Sequence, residues 1–245
     1  MNNTVVLIPS RLAATRLPNK PLLKINNLSI INHVYKIANS FLESQSYVAT
    51  GDKEIFDEVI KYGGKCILTK NDHKTGTDRI FEAFQKLENK NIEYVVNLQG
   101  DEPIINIDDL KNLLKKTIEK KSKVSTLACE IEDEKVLLKH NVVKVRTEEK
   151  LKEDNLSTAI SFAREIGTIK ENIYHHIGIY IFNVPYLKKF VELKQTSNEK
   201  SQKLEQLRLI ENNIEIDVGL AKTKPIGVDT HEDYLELKKI MEYKN

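Results

Sequence analysis

The sequence predicts an α/β fold: a mostly parallel sheet flanked by helices, with an antiparallel insertion in its second half. Three observations carry this. Apolar runs of strand length alternate with segments of helical period through the first hundred or so residues, the pattern of strands covered by helices. The first such run, Val5-Val6-Leu7-Ile8, is continuously apolar and suits a strand buried on both faces. Beyond about residue 130 the helical segments thin out, and strand-like stretches follow one another through polar connections.

The elements follow in order. Residues 29–41 and 52–62 have helical period, the second with Ile55, Phe56, Val59 and Ile60 on one stripe behind Asp52 as N-cap. Between them Tyr47-Val48-Ala49-Thr50 reads as the second strand, and Gly63-Gly64 stops the second helix before a third strand at 65–68. Thr77 is placed to cap a helix carrying Ile80, Phe84 and Leu87, and residues 93–98 form the fourth strand. A helix at 107–119 and a strand at 124–128 complete the regular part. Strand-like stretches at 142–145, 158–162 and 177–182 make the insertion, and Thr230-x-x-Asp233 opens a final helix to residue 243.

The 245 residues carry 38 Lys plus Arg against 36 Asp plus Glu, a net +2 with interleaved signs, which disfavours nucleic acid as a partner. No run approaches the roughly 18 apolar residues of a membrane span, so no membrane partner is expected. The amino-terminal apolar run is too short for a signal h-region, and Cys66 and Cys129 match neither a zinc ribbon nor a disulfide framework. Both thiols are expected in a reducing, cytoplasmic setting.

Ligands of open α/β sheets bind beyond the carboxyl ends of the strands. After the first strand comes Pro9-Ser10-Arg11-Leu12-Ala13-Ala14-Thr15-Arg16-Leu17-Pro18-Asn19-Lys20-Pro21. Arg11, Arg16 and Lys20 in one proline-stiffened loop can wrap a polyanion with backbone amides and forked guanidinium groups; the alternative is a solvated basic loop. Lys20 is the best single candidate for stabilising transition-state charge. Neither a Walker loop nor a Rossmann fingerprint is present: Gly63-Gly64-Lys65 runs into Cys66, and no GxGxxG follows the first strand.

After the third strand, Asp72-His73-Lys74-Thr75-Gly76-Thr77-Asp78-Arg79 offers hydroxyls, a close backbone approach and a donor fork at a helix start; a plain N-cap would look the same. Gln99-Gly100-Asp101-Glu102-Pro103 follows the fourth strand, and Gly227-Val228-Asp229-Thr230 precedes the last helix. The adjacent carboxylates Asp101 and Glu102 suit a hard divalent cation shared with phosphates, the plain alternative being an acidic turn. Asp229 is a further carboxylate, which a dipole-facing Asp before a helix would explain equally.

With these segments the chain resembles the 3-deoxy-manno-octulosonate cytidylyltransferases. Ile8-Pro9-Ser10-Arg11, Thr15 to Leu22, Asp72 to Arg79, Asn97 to Pro103, His176-Ile177-Gly178-Ile179-Tyr180, Leu204-Glu205-Gln206-Leu207-Arg208 and Gly227-Val228-Asp229-Thr230 carry the resemblance in order along nearly the whole chain. It implies a nucleotide-diphosphosugar transferase-like (Rossmann-like) fold in a single domain. Residues 1–130 would be the nucleotide-binding half, 131–225 a sugar-binding and dimerisation insertion, and 226–245 the metal-site motif and helix.

The resemblance further implies a homodimer that transfers CMP from CTP to the anomeric hydroxyl of 3-deoxy-D-manno-octulosonate (Kdo) with Mg2+, for lipopolysaccharide biosynthesis. Lys20, Arg11, Asp101 and Asp229 would be catalytic, and Asp101 and Asp229 the metal ligands. Pro9, Ser10, Arg11, Arg16, Lys20, His73, Thr75, Gly76, Thr77, Arg79 and Asp101 would hold the nucleotide, and Gln99, Arg164, His176, Tyr180, Glu205 and Gln206 the sugar acid. Two departures stand out. Asn19 replaces the family's usual glycine, and Glu165-Ile166-Gly167-Thr168 follows Arg164 where a proline and an aromatic are usual, which opens the sugar to a related nonulosonic or 8-amino acid. A non-catalytic nucleotide-binding regulator is the rival from another class.

Overall fold

A computed structural model of the chain describes residues 3–13, 16–89, 91–166, 171–224 and 226–243. The chain forms two compact units, residues 1–107 with 225–245, and residues 108–224. The expected division near 130 therefore moves back to 107/108, because the strand at 124–129 is hydrogen-bonded between two strands of the second unit.

In the first unit, β1 (Thr4–Ser10) leads through a loop and a 3-10 turn at Lys20–Leu22 to the short hairpin β2 (Lys24–Ile25) and β3 (Leu28–Ser29). Helix α1 (Ile30–Phe41), β4 (Ser46–Thr50), α2 (Lys53–Lys61), β5 (Cys66–Leu68), α3 (Gly76–Gln85) and β6 (Tyr94–Asn97) follow. The strands run in the order β5, β4, β1, β6, all parallel. β1 is buried along almost its whole length, as its unbroken apolar run requires. The hairpin's tip, Asn26-Asn27, has φ of 50° and 61°, the left-handed pair that a tight two-residue turn needs and that Asn tolerates.

The second unit opens with α4 (Ile107–Lys120) and contains β7 (Val124–Cys129), β8 (Lys144–Thr147), β9 (Leu156–Ala163), β10 (Ile173–Asn183), α5 (Val184–Glu192), α6 (Ser197–Gln202), α7 (Leu207–Ile210) and β11 (Ile216–Leu220). Its strands pair in the order β10, β7, β11, β9, β8, and β8 also pairs with the start of β10, so the ladder closes on itself. Only the β7–β11 contact among these is parallel. The expected insertion is thus mainly antiparallel, and β11, with Ile216, Val218 and Leu220 alternating, joins it as a strand that the sequence reading passed over.

The chain then returns to the first unit through α8 (His231–Tyr243), capped as expected by Thr230 and Asp233: the Thr230 amide donates to Asp233 Oδ2 at 2.8 Å and the Asp233 amide to Thr230 Oγ1 at 3.2 Å. An apolar cluster of Leu17, Ile25, Ile30, Val228 and Leu237 joins the loop after β1, the hairpin, α1 and α8. Burying these side chains is worth roughly 1.5–3 kcal/mol each, and it fixes the loop that carries the cations against the segment that carries Asp229. No helix among the described residues is long and apolar enough to cross a membrane.

Candidate active site

The site in the first unit is assembled where β1 and β6 end. Gly100 makes the approach of their loops possible: a side chain there would put Cβ 2.8 Å from the Pro9 carbonyl oxygen, too close for any other residue without a shift. The amide of Val228 donates to the Asp101 carbonyl at 3.0 Å, which brings the segment before α8 alongside the end of β6 and sets Asp229 beside Asp101.

Lys20 lies between the two carboxylates. Its Nζ donates to Asp101 Oδ2 at 2.6 Å and to Asp229 Oδ1 at 3.3 Å, with the lysine side chain only 13% exposed. Burial alone would push this ammonium down, but the two aspartates outweigh it and hold Lys20 above its ordinary value. Asn19 delivers Lys20 into this position from a left-handed conformation, φ 56° and ψ 20°, so asparagine meets the turn's demand in place of glycine. Arg16 joins the cluster through Asp229, Nη2 to Oδ2 at 3.1 Å.

Two carboxylates that converge on one cation are a fitting donor set for magnesium, which takes one or two protein carboxylates and fills its remaining positions with water and substrate phosphates. Among the described residues no group of three or more His, Cys, Asp or Glu side chains is placed to hold a metal unaided. Next to Asp101, the Glu102 carboxyl is pushed up to about 8 by burial and by the charges of Asp101 and Asp229, so at neutral pH it adds little further negative charge.

The rest of the cationic loop divides. Arg11 is exposed, while Ser10 is buried and its Oγ has no hydrogen-bond partner, an orphan donor at the base of the loop. The Leu12 amide is bound to Asp52 Oδ2 at 2.8 Å and so is not among the amides offered to an anion. Thr15 lies outside the described residues.

The segment after β5 is more structural than its composition promised. The cap of α3 is Thr75 and not Thr77: Thr75 Oγ1 accepts the Asp78 amide and Asp78 accepts the Thr75 amide, a reciprocal box. Thr77 is buried behind it and accepts from Asn97 Nδ2 at 3.2 Å. Arg79 is buried with Nη1 donating to Thr69 Oγ1 at 2.6 Å and the Lys70 carbonyl at 3.0 Å, and His73 meets Glu82 at 2.5 Å. Gly76 faces Pro9, whose Cγ would lie 3.3 Å from an added Cβ, so this helix start does abut the first loop.

In the second unit, β10 breaks register with β7 between Ile177 and Tyr180, and Thr126 serves the defect. Its hydroxyl lies 3.1 Å from the Ile177 carbonyl, 2.7 Å from that of Ile179 and 3.0 Å from His176 Nε2, which is also 3.1 Å from the Tyr180 hydroxyl. Burial, with His175 nearby, takes His176 down to about 3, so the ring is neutral. Burial and then the charge of Glu205 push the Tyr180 phenol up, which makes Tyr180 a neutral donor and Glu205 its neighbour. Two of the expected sugar residues, His176 and Tyr180, are thus brought together, within reach of the charge of Glu205.

Gln206 is buried at the start of α7, and this segment is braced by Arg208, whose Nε and Nη2 grip Glu199 at 2.9 and 2.5 Å over the Phe190 ring. Arg164 is half-buried and donates to the carbonyls of Gln202 at 2.9 Å and His140 at 3.3 Å. Gln99 is half-buried just after β6 in the first unit. Gly167 and Thr168 of the altered segment lie outside the described residues.

Residues 5–216 match the family model described as Cytidylyltransferase. A 3-deoxy-manno-octulosonate cytidylyltransferase of Rhodopseudomonas palustris (strain BisB18) is 40% identical over 240 residues, covering 97% of each chain. The chain belongs to the 3-deoxy-manno-octulosonate cytidylyltransferases. The member from Brucella canis is likewise 40% identical, over 94% of this chain and 92% of that one. A solved CMP:2-keto-3-deoxy-manno-octonic acid synthetase complexed with CTP matches with a TM-score of 0.87 and 31% identity, over 99% of this chain and 100% of that chain. A cytidylyltransferase from Leptospira borgpetersenii shares the fold at a TM-score of 0.64 and 16% identity, over 98% of this chain and 87% of that one. The family's mixed α/β architecture is the one described above.

Proposed function

We propose that this chain transfers CMP from CTP to the anomeric hydroxyl of Kdo, releasing pyrophosphate, as the names of its relatives indicate for them. The observation that supports it most directly is the meeting of Lys20 with Asp101 and Asp229, with Arg16 beside them. In-line displacement at phosphorus asks a protein chiefly for alignment and charge neutralisation. Arg11, Arg16 and Lys20 hold the triphosphate, with Ser10 Oγ as a further donor at the loop's base. Asp101 and Asp229 hold magnesium, which when bound neutralises phosphate charge. The oxygen of the sugar hydroxyl forms the new bond to the α-phosphorus and its proton passes to water, while the bond from the α-phosphorus to the oxygen shared with the β-phosphate breaks and that oxygen leaves with pyrophosphate. Lys20, a buried cation kept protonated by its aspartates, opposes the negative charge that builds during that exchange.

For the acceptor, neutral His176 and Tyr180 of the second unit provide hydrogen bonds to hydroxyl groups, with Glu205, Gln206 and Arg164 of the same unit in the set. Both cysteines are unpaired thiols, which supports the cytoplasm, where CTP is made, as the location. A homodimer joined through 131–225 belongs to the same reading; Leu138 on that segment is 87% exposed, and light scattering measures the mass. The acceptor is tested by pyrophosphate release from CTP and Mg2+ with Kdo, its 8-amino analogue and a nonulosonic acid in turn. Kdo is expected to give the highest kcat/KM. Faster turnover of either rival would reassign the sugar, and CTP binding with no acceptor turned over would make the chain a regulator.

A further inference from the structure

Asp52 occupies the N-cap of α2, where an aspartate ordinarily accepts an amide from the helix's own first turn, yet its side chain makes no such bond. Its Oδ2 accepts instead the Leu12 amide at 2.8 Å, from forty residues (|i−j| = 40) earlier in the chain. The reason lies in the sheet. β1 and β4 pair with Ser10 opposite Thr50, so the chain leaving each strand passes the other two residues further on. The Asp52 amide donates to Thr50 Oγ1 at 3.1 Å, which fixes the carboxylate at the end of β4. The neighbourhood is charged. Arg79, lowered chiefly by burial, also feels Asp52 as an attraction and Arg11 as a repulsion.

We propose that Asp52 is a positioning residue for the nucleotide: by holding the Leu12 amide it sets the backbone next to Arg11 and so places the Arg11 guanidinium for the triphosphate. The inference rests on the reading that the loop after β1 takes CTP. It deepens that reading by adding a residue that touches no substrate and acts through the loop.

A series of three substitutions separates this role from helix capping. Asp52→Asn keeps both an acceptor and a good cap. Asp52→Ser keeps a good cap, but its hydroxyl sits one atom closer to the backbone and falls short of Leu12. Asp52→Ala keeps neither. Calorimetry with CTP is expected to show the Asn variant close to wild type and the Ser and Ala variants on the order of tenfold weaker, because the backbone that places Arg11 is no longer held for the triphosphate. kcat at saturating CTP should change by less than about twofold, because the loss is of uniform binding. Hydrogen exchange should show the Leu12 amide protected in wild type and in the Asn variant, and exposed with Ser or Ala, at an unfolding temperature that Ser leaves near wild type.

A Ser variant that binds CTP as wild type does, or that keeps Leu12 protected, overturns the inference. So do losses of CTP binding that merely track the unfolding temperature across all three. A wild-type protein that fails to bind CTP while Leu12 is protected overturns the parent reading instead, and the exchange data make the two failures distinguishable.

Discussion

Residues 1–107 with 226–243 gather charge where parallel strands end, whereas residues 108–224 keep neutral polar groups at a defect within antiparallel strands. In the first unit Lys20 is 13% exposed and still a cation, because Asp101 and Asp229 sit 2.6 and 3.3 Å away. In the second, His176 is 8% exposed and neutral, held by the hydroxyls of Thr126 and Tyr180. The difference matches two tasks. A triphosphate needs its charge opposed, which takes paired ions whose partners can be exchanged for phosphate and metal. A sugar presents hydroxyls, which neutral donors and acceptors fix without the desolvation cost of buried charge.

The largest test of this contrast is Asp101→Asn. It keeps the side chain's shape and removes the charge, so turnover should fall by on the order of 10³-fold or more while far-UV circular dichroism is unchanged; near-normal turnover at ordinary Mg2+ would remove Asp101 from the reaction. Lys20→Ala comes next. If the lysine acts as charge develops, kcat drops on the order of 10²-fold and the CTP dissociation constant moves far less; an effect confined to KM would make Lys20 a simple binding residue.

In the second unit, where Arg164 is a charged group beside the neutral ones, Arg164→Lys sharpens the comparison. Two of the five guanidinium donors are spent on Gln202 and His140, and the others can grip a carboxylate in a way lysine cannot. Sugar use should weaken by about 1.5–3 kcal/mol, with CTP binding in the absence of sugar unchanged. Equal losses for both substrates would mean that Arg164 only braces the fold.

The smallest effect concerns Glu82, which separates structural charge from functional charge. Burial alone would raise its carboxyl, but Lys86, the Lys70 amide and His73 hold it at about 2 against an ordinary 4.5. The stabilisation is complete above pH 4.5, where the unfolded carboxylate is also ionised, and is lost as pH falls toward 2. Glu82→Gln should therefore lower Tm by about 2–4 °C near neutrality, and the gap from wild type should close between pH 4.5 and 2. CTP affinity that fell with it would return His73 and its segment to the nucleotide site.

The two regions were unequally legible. The parallel half announces itself because its first strand is a continuous apolar run, its helices have a clear stripe, and charged side chains collect at the ends of those runs. Lys20 and Asp101, which the structure brings together, stand out by position and charge, while the resemblance singles out Asp229. What the pattern could not reveal is where a side chain spends its hydrogen bonds. Arg79 and His73 look like ligand residues but serve Thr69, Lys70 and Glu82, and Asp52 looks like an ordinary cap but holds Leu12. In the antiparallel half, His176 and Tyr180 came from family resemblance. Their partner Thr126 is one small polar residue in a buried strand, brought to them by a register break that no local period encodes. Nothing local in the sequence marks Arg208 and Glu199 as a pair, because it is packing over Phe190 that joins them in the interior.

The central claim is nucleotidyl transfer at the α-phosphorus of CTP by a sugar acid, and phosphorus NMR of the protein with CTP, Mg2+ and Kdo tests it most directly. The account predicts loss of all three CTP resonances, with a pyrophosphate signal growing at twice the area of one new phosphodiester signal, the product having the mass of CMP-Kdo. Formation of CDP with phosphate or a sugar phosphate would place the attack at the γ-phosphorus, and CTP unchanged in the presence of Kdo would contradict the assignment of the acceptor.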